Sequence, residues 1–433
     1  MGGKVSMVNA FRALQERGLV EWCSHPEELD EFFEKEEMIT AYIGFDPTAD
    51  SLHVGHLIPI MTLSWLQRMG HRPICLAGGG TGMIGDPSGK SKERNLLSPE
   101  AVQENIRGVR NQLEHFMNFN CGKNSALIVN NYDWLKDISF LDFLREVGKF
   151  FTINYMVNKE HVKSRLNDPE KSISYTEFSY TLLQAYDFMH LLEKYGCKIQ
   201  MGGNDQQGNI VSGIDLIRKR KGDQAYGWTN PLLLTSSGTK FGKTEGGAVW
   251  LDPKRTSPYR FYQFWINTED EMVEKLLNFF TFLPLEEIEE IMSKHLAAPE
   301  KREAQKRLAW EVTSLVHSPH AADTVARASE ILFGGEITHE DMSEEMMEML
   351  AEEVPYGTIS TALPLSLVDV LVSVEACKSK GEARRLIRGG GIYVNGDRIE
   401  DENATIEKTL LIGGRHLFVR LGKKRFNLIE IKE

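Results

Sequence analysis

From Thr40 to about Leu234 the chain alternates short β-rich segments with helical ones, and this alternation restricts the fold more than any other feature. The β-rich segments are Ala41 to Phe45, Pro73 to Ala77, Ala126 to Asn130 and Lys198 to Met201. Strands that alternate with helices imply a mostly parallel sheet with helices on both faces. In such a fold, ligands bind at the carboxyl ends of the strands.

From about Ser257 to Phe333 the pattern turns helical. Glu336 to Glu353 then carries eight acidic and no basic side chains, which reads as a solvated surface helix or linker and marks a boundary. From about Leu363 the chain reads as a small separate module. There a basic helix near Lys380 to Arg388 ends in Gly389, Gly390 and Gly391, the strand Ile392 to Val394 follows, and Asn395-Gly396 supplies a tight hairpin turn.

With 433 residues, 41% hydrophobic and 26% charged, the chain is long enough for two or three domains with ordinary cores. Cys23, Cys75, Cys121, Cys197 and Cys377 are scattered, without a C-x-x-C pair, so free thiols in a reducing compartment are expected. No apolar run reaches membrane-spanning length and no secretory signal is evident, which points to a cytoplasmic protein. Gly2 and Ser6 fit the short myristoylation pattern, but so short a match arises easily by chance. The formal net charge of −12 argues against non-specific coating of nucleic acid. Yet from Ala376 onward thirteen Lys or Arg face eight Asp or Glu, which suggests an RNA-facing end on an acidic chain.

Two segments carry chemistry. Asp46-Pro47-Thr48-Ala49-Asp50-Ser51-Leu52-His53-Val54-Gly55-His56 leads from a strand into the helix Leu57 to Met69. Two imidazoles around one glycine at a helix start can donate to phosphate, and the helix dipole favours an anion there. A capped helix whose histidines satisfy backbone groups would look the same. The second segment, Lys240-Phe241-Gly242-Lys243-Thr244, lies in a loop rich in Gly, Ser and Thr. Lysines three apart on such a loop can close over a polyphosphate, although a plain charged loop would look similar.

In this order on an α/β domain, the two segments resemble the paired HIGH and KMSKS signatures of class I aminoacyl-tRNA synthetases. Tyr42, Gly44 to His56, Gly82 to Pro87, Asn130 to Trp134, Ser179 to Phe188, Gly202 to Asn209 and Lys240 to Pro258 resemble tyrosyl-tRNA synthetases of the bacterial and organellar type. The resemblance covers nearly the whole chain. It implies an α/β, Rossmann-like catalytic domain over residues 1–255 with a mostly parallel sheet and a dimer-interface insertion at about 130–165. An α-helical domain over 256–350, a linker over 351–362 and a small α+β RNA-binding module of the alpha-L type over 363–433 would follow.

The resemblance also assigns roles. Tyr42 and Asp187 would bind the phenol hydroxyl of tyrosine, Tyr180, Gln184 and Asp86 its ammonium group, and Gln206 its backbone. Tyr180, Gln184 and Asp187 share one helix face, behind a capping box formed by Ser174 and Glu177. By spacing alone a stripe facing solvent is the favoured reading, and it is the resemblance that turns it toward a cavity. Gly44, Asp46, His53, His56, Gly202, Gly203, Asp205 and Lys243 would hold ATP, and Thr48, His53, His56, Lys240, Lys243 and Thr244 would be the catalytic set that stabilises the transition state and the departing pyrophosphate. Mg²⁺ would accompany ATP, and no dedicated protein metal site is expected. Lys380, Arg384, Arg385 and Arg388 would face the phosphates of tRNA(Tyr). The resemblance further implies a homodimer, with the hydrophobic stretch around Phe140 to Met156 as its interface.

The chain departs from the family pattern in Gly203-Asn204-Asp205-Gln206-Gln207-Gly208-Asn209, where Asn204 replaces serine and Gln207 replaces tryptophan, and in Ile43, where relatives often carry cysteine. Within the enzyme class, tryptophanyl-tRNA synthetase and a nucleotidyltransferase of the pantothenate synthetase kind are the competing readings. An indole has no use for a phenol-matched pair, and the basic module argues against the second. From a different class, an RNA-binding or splicing-assistance protein derived from a synthetase would share these motifs.

Overall fold

The computed structural model of the chain describes residues 9–88, 98–168, 172–234, 238, 241–244, 247–333, 337, 341–422 and 425–432, excepting the side chains of residues 99, 160, 161, 243 and 244. The Gly2 and Ser6 pattern lies outside the described residues. The chain divides into two units, residues 1–256 with 268–308, and residues 257–267 with 309–433. The helical stretch after residue 256 is thus shared between the units.

In the first unit six strands pair in one sheet: β1 Trp22–Cys23, β2 Thr40–Phe45, β3 Arg72–Ala77, β4 Leu127–Asn130, β5 Ile199–Gly203 and β6 Tyr226–Asn230. Their spatial order is β1-β6-β5-β2-β3-β4, with β1 antiparallel to β6 and the other pairs parallel. In β2 only Gly44 is exposed, as expected of a parallel strand covered on both faces. The chain runs outward from β2 through β3 to β4, then returns to place β5 on the other side of β2. That reversal opens a crevice at the carboxyl ends of β2 and β5.

Two helices wall this crevice. Leu57–Arg68 buries residues all round, and its Thr62 and Ser64 hydroxyls donate to the carbonyls of Ile58 and Ile60, so their burial leaves no donor unpaired. Tyr175–Tyr195 runs for 21 residues. Ser174 and Glu177 form its capping box, and Gly196 closes it in the left-handed conformation at φ 63°. The helix Gln207–Lys221 lies directly on β6, because Gly227 has no Cβ: one placed there would come within 2.2 Å of Ile210. Fully buried Tyr42, Phe188 and Trp228 each remove a large apolar surface from water, worth roughly 1.5–3 kcal/mol per side chain.

The second unit contains a five-stranded sheet in the order 397–399, 392–394, 416–421, 425–432, 356–360. Its last pair is parallel and the others are antiparallel. The strand Tyr356–Ser360 falls in the stretch expected to be a linker; its backbone pairs with Leu428–Lys432. Alternating exposure hid it from a reading based on apolar runs. Asn395 (φ 48°) and Gly396 (φ 91°) turn the hairpin between 392–394 and 397–399, as the sequence suggests.

The acidic run is also more than a solvated stretch. Glu344–Leu350 is a helix that buries Met346, Met347 and Leu350, while Asp341 pairs with Arg327, Glu344 and Glu348 with Arg415, and Glu353 with Arg260. Four of these acids, Asp341, Glu344, Glu348 and Glu353, are thus matched by arginines elsewhere in the unit, which a local count of charge does not reveal.

Candidate active site

A cleft of about 390 Å³ opens at the switch between β2 and β5. Its lining brings together Tyr42, Gly44, Asp46, His53, His56, Asp86, Tyr180, Gln184, Asp187, Gly202, Gly203, Asp205 and Gln206. The stripe Tyr180, Gln184, Asp187 therefore faces the cleft rather than solvent. Thr48 is exposed and not among the lining residues. Lys240 lies outside the described residues, as do the side chains of Lys243 and Thr244.

At the closed end, Asp187 is fully buried on the helix Tyr175–Tyr195. Its Oδ2 accepts a 2.9 Å hydrogen bond from Asn131 Nδ2, and its Oδ1 accepts a 2.7 Å bond from Trp134 Nε1. Burial pushes its carboxyl up to about 7, against the pull of these two donors. Tyr42 lies beside it; its hydroxyl is buried without a hydrogen-bond partner among the described residues. Burial first, then the charge of Asp187, holds that phenol well above its ordinary range. A buried acceptor and an orphaned hydroxyl at one spot suit a ligand that carries a hydroxyl of its own.

Midway along the cleft, polar groups converge on Gln206. Its Nε2 donates to Asp86 Oδ2 at 2.7 Å, and its Oε1 accepts from Gln184 and from Asn209, both at 3.2 Å. Asp86 also accepts from the Ser88 backbone at 2.8 Å. Burial and then the nearby charge of Asp46 raise the Asp86 carboxyl to about 6, despite these donors. Tyr180 is buried, hydrogen-bonded to Thr81, and driven upward by burial and by Asp46, Asp86 and Asp187. A cation entering here would relieve the crowding of carboxylates.

At the open end, His53 and His56 cap the turn Val54–His56 reciprocally. His53 Nδ1 accepts from Gly55 N at 3.1 Å, and His56 Nδ1 accepts from His53 N at 3.1 Å. The capping and phosphate readings of H-x-G-H are thus compatible: an Nδ1 that accepts puts the proton of a neutral ring on Nε2, which is then a donor. Burial and neighbouring His53 lower His56 to about 3, so it remains neutral.

The second motif is tied to the first through the backbone. Val54 N donates to Val249 O and Leu251 N to Leu52 O, both at 2.9 Å, while Val249 N donates to Gly242 O at 3.0 Å. Gly242 has φ 85°, and a Cβ there would lie 3.2 Å from the Val54 side chain. Lys243–Thr244 pairs with Gly247–Ala248 as a small antiparallel ribbon. This pairing links H-x-G-H to K-F-G-K, about 190 residues away in the sequence.

Several site-building residues carried no assigned role in the sequence reading. Asn131 Oδ1 accepts from Gly80 N at 2.7 Å, and its Nδ2 reaches Thr81 Oγ1 at 2.8 Å as well as Asp187. Asn209 bridges Gln206, Ser88 and Thr181. The available signal was position: Asn131 and Trp134 follow the carboxyl end of β4. Of the departures from the family pattern, Asn204 accepts from Thr229 Oγ1 at 3.1 Å, Ile43 is buried in the cleft wall, and Gln207 opens the helix Gln207–Lys221.

In the second unit, Lys380, Arg384, Arg385 and Arg388 are exposed on the helix Lys380–Arg388. Lys380 pairs with Asp369 at 2.7 Å and Arg388 with Glu402 at 3.3 Å.

A doubly wound, mostly parallel sheet, paired histidines at a helix start and a K-F-G-K ribbon tied to them define a class I aminoacyl-tRNA synthetase. The family model for class I synthetases of tryptophan and tyrosine (W and Y) matches residues 34–334, and the model for the SYY-like C-terminal domain of tyrosine–tRNA ligases matches residues 345–429. The chain belongs to the tyrosyl-tRNA synthetases. It is 50% identical to the tyrosine–tRNA ligase of Anaeromyxobacter dehalogenans over 91% of this chain and 93% of that one. It is 49% identical to tyrosine–tRNA ligase 1 of Bacillus subtilis over 98% of this chain and all of that one. The crystal structure of a C-terminally truncated mitochondrial tyrosyl-tRNA synthetase from Aspergillus nidulans superposes with a TM-score of 0.69 at 32% identity, covering 77% of this chain and 95% of that one.

Proposed function

We propose that the cleft activates tyrosine and hands it to tRNA(Tyr) through the following contacts. The phenol hydroxyl of tyrosine donates to Asp187 and accepts from Tyr42. Its ammonium group sits among Asp86, Tyr180 and Gln184, and Gln206 orients the carboxylate. Adenosine lies along Gly44, Asp46, His56, Gly202, Gly203 and Asp205. The tyrosine carboxylate oxygen attacks the α-phosphorus of ATP; the bond from that phosphorus to the bridging oxygen breaks, and pyrophosphate leaves with the electron pair. His53, with Thr48, Lys240, Lys243 and Thr244, meets the charge that develops on the phosphates. Mg²⁺ enters with ATP. The terminal ribose hydroxyl of tRNA then attacks the acyl carbon, and AMP departs.

The observation that carries this reading is the pairing of buried Asp187 with the orphaned Tyr42 hydroxyl. Phenylalanine would leave the buried Tyr42 hydroxyl without a partner, at roughly 1–3 kcal/mol, and would bring Asp187 no donor beyond Asn131 and Trp134. Amino-acid-dependent ATP–pyrophosphate exchange with tyrosine, tryptophan and phenylalanine tests it. Exchange with tyrosine alone, lost in Asp187→Ala, is the expected result; no exchange with any amino acid would defeat it.

The arginines of Lys380–Arg388 contact tRNA phosphates. The chain acts as a homodimer in the cytoplasm. Exposed Phe140, Leu141 and Ile153 support the dimer, and five unpaired cysteines support a reducing compartment. A monomer in light scattering at micromolar concentration would remove the dimer from this scheme.

A further inference from the structure

The two donors that hold Asp187 are secured very differently. Asn131 is buried and locked by hydrogen bonds to Gly80, Thr81 and Asp187, so its amide has no other orientation that keeps them all. Trp134 is half-buried on the short helix Tyr132–Leu135, and its single donor is the Nε1–H that reaches Asp187. A hydrogen bond at one corner of an indole does not fix the tilt of the ring.

Beside its packing against the hydrophobic core, the indole has a second restraint in His190. Its ring lies parallel to the indole, with centroids 4.4 Å apart and an interplanar angle of 16°. His190 stands three residues after Asp187, so both project from neighbouring positions on one helix. Its Nε2 is buried without a hydrogen-bond partner among the described residues, which costs free energy and gains nothing for the imidazole itself. Burial and Lys194 keep the ring below its ordinary range, so at neutral pH it presents an uncharged flat face. Tyr186, 6.3 Å away, and Phe143, edge-on to Tyr186, extend the aromatic group behind it.

We propose that His190 is a positioning residue for tyrosine recognition: stacked on Trp134, it holds the indole N–H on Asp187 and thereby sets how well the carboxylate receives the substrate hydroxyl. This rests on the reading of Asp187 as the phenol acceptor. His190 is not among the residues that line the cleft, and it acts through Trp134. What the position requires is a flat ring, not an imidazole.

The test is ATP–pyrophosphate exchange on the full chain, with KM measured separately for tyrosine and ATP. The variants are His190→Ala, His190→Phe, Asp187→Ala, Trp134→Phe, and His190→Ala combined with Trp134→Phe. An aromatic pair of this kind is worth enough to raise the tyrosine KM about 3- to 10-fold in His190→Ala, with the ATP KM unchanged. His190→Phe restores the flat face and returns the tyrosine KM to within about 2-fold of the wild type. In the double variant, with the indole N–H already gone, loss of His190 adds less than about 2-fold.

A tyrosine KM unchanged in His190→Ala, an equal rise for ATP, or a failure of His190→Phe to rescue while its thermal unfolding stays that of the wild type would overturn the role of His190. Asp187→Ala separates the two levels of the argument. If it keeps the wild-type tyrosine KM, the assignment of Asp187 falls and takes this one with it; if it loses tyrosine while His190→Ala does not, only His190 is dismissed.

Discussion

Trp134→Phe removes one of the two N–H donors to Asp187 and keeps an aromatic ring against His190. A hydrogen bond to a charged group is worth roughly 1.5–3 kcal/mol, and one pKa unit corresponds to about 1.4 kcal/mol. The Asp187 carboxyl, already raised to about 7 by burial, is therefore expected to rise by roughly one to two further units in the variant. The sign for stability follows from proton binding. Between the ordinary value of 3.8 and about 7, the native state keeps a proton that the unfolded chain has released. Stability from this group is thus greatest below that window and declines as pH rises through it, by at most roughly 4 kcal/mol. In Trp134→Phe the decline continues to about pH 8–9. The assay is kcat/KM for tyrosine against pH, which reports groups of the free enzyme. The wild type should show an acid limb near 7, and the variant one displaced upward by roughly one to two units. Urea unfolding over the same range checks the stability window. A limb that stays within about 0.3 units of the wild type, or a wild-type limb near 4, would refute the idea that burial and these two donors govern Asp187.

Arg165→Met strands Glu177, its buried partner at 2.6 Å, and should lower stability in urea by roughly 3–5 kcal/mol; less than about 1 kcal/mol would mean the pair is dispensable. Gly242→Ala forces a side chain into a backbone with φ 85° beside Val54, at roughly 1–2 kcal/mol of strain. Its effect should fall on the rate of tyrosine activation more than on the tyrosine KM, as stopped-flow formation of the adenylate will show. Arg384→Ala with Arg388→Ala removes two exposed cations of one helix face and should lessen the salt dependence of tRNA binding by about 1.4 to 1.8 in log–log slope, leaving pyrophosphate exchange intact.

Local signals were easy to read where a few adjacent residues suffice. The Ser174–Glu177 box starts its helix and Gly196 ends it, the basic helix spans Lys380–Arg388, and Asn395-Gly396 turns its hairpin. The strand Tyr356–Ser360 escaped notice because its alternating half-buried residues depend on a partner, Leu428–Lys432, some 70 residues later. The acidic run does form a surface helix, but its buried apolar face and its partners Arg327 and Arg415, which lie outside it, were not legible from its own residues.

The sequence alone determined the alternation that makes the sheet parallel, and the order of H-x-G-H and K-F-G-K along it, because backbone propensities and caps act over a few neighbouring residues. Only the tertiary structure decided what those residues can do. Asp187 finds its donors 56 and 53 residues away in Asn131 and Trp134, and it owes its raised carboxyl to elements folded around it. Desolvation and hydrogen-bond geometry belong to an enclosed volume rather than to a stretch of chain, so a recognisable motif becomes a pocket with defined proton positions only once the sheet has wound both ways from β2.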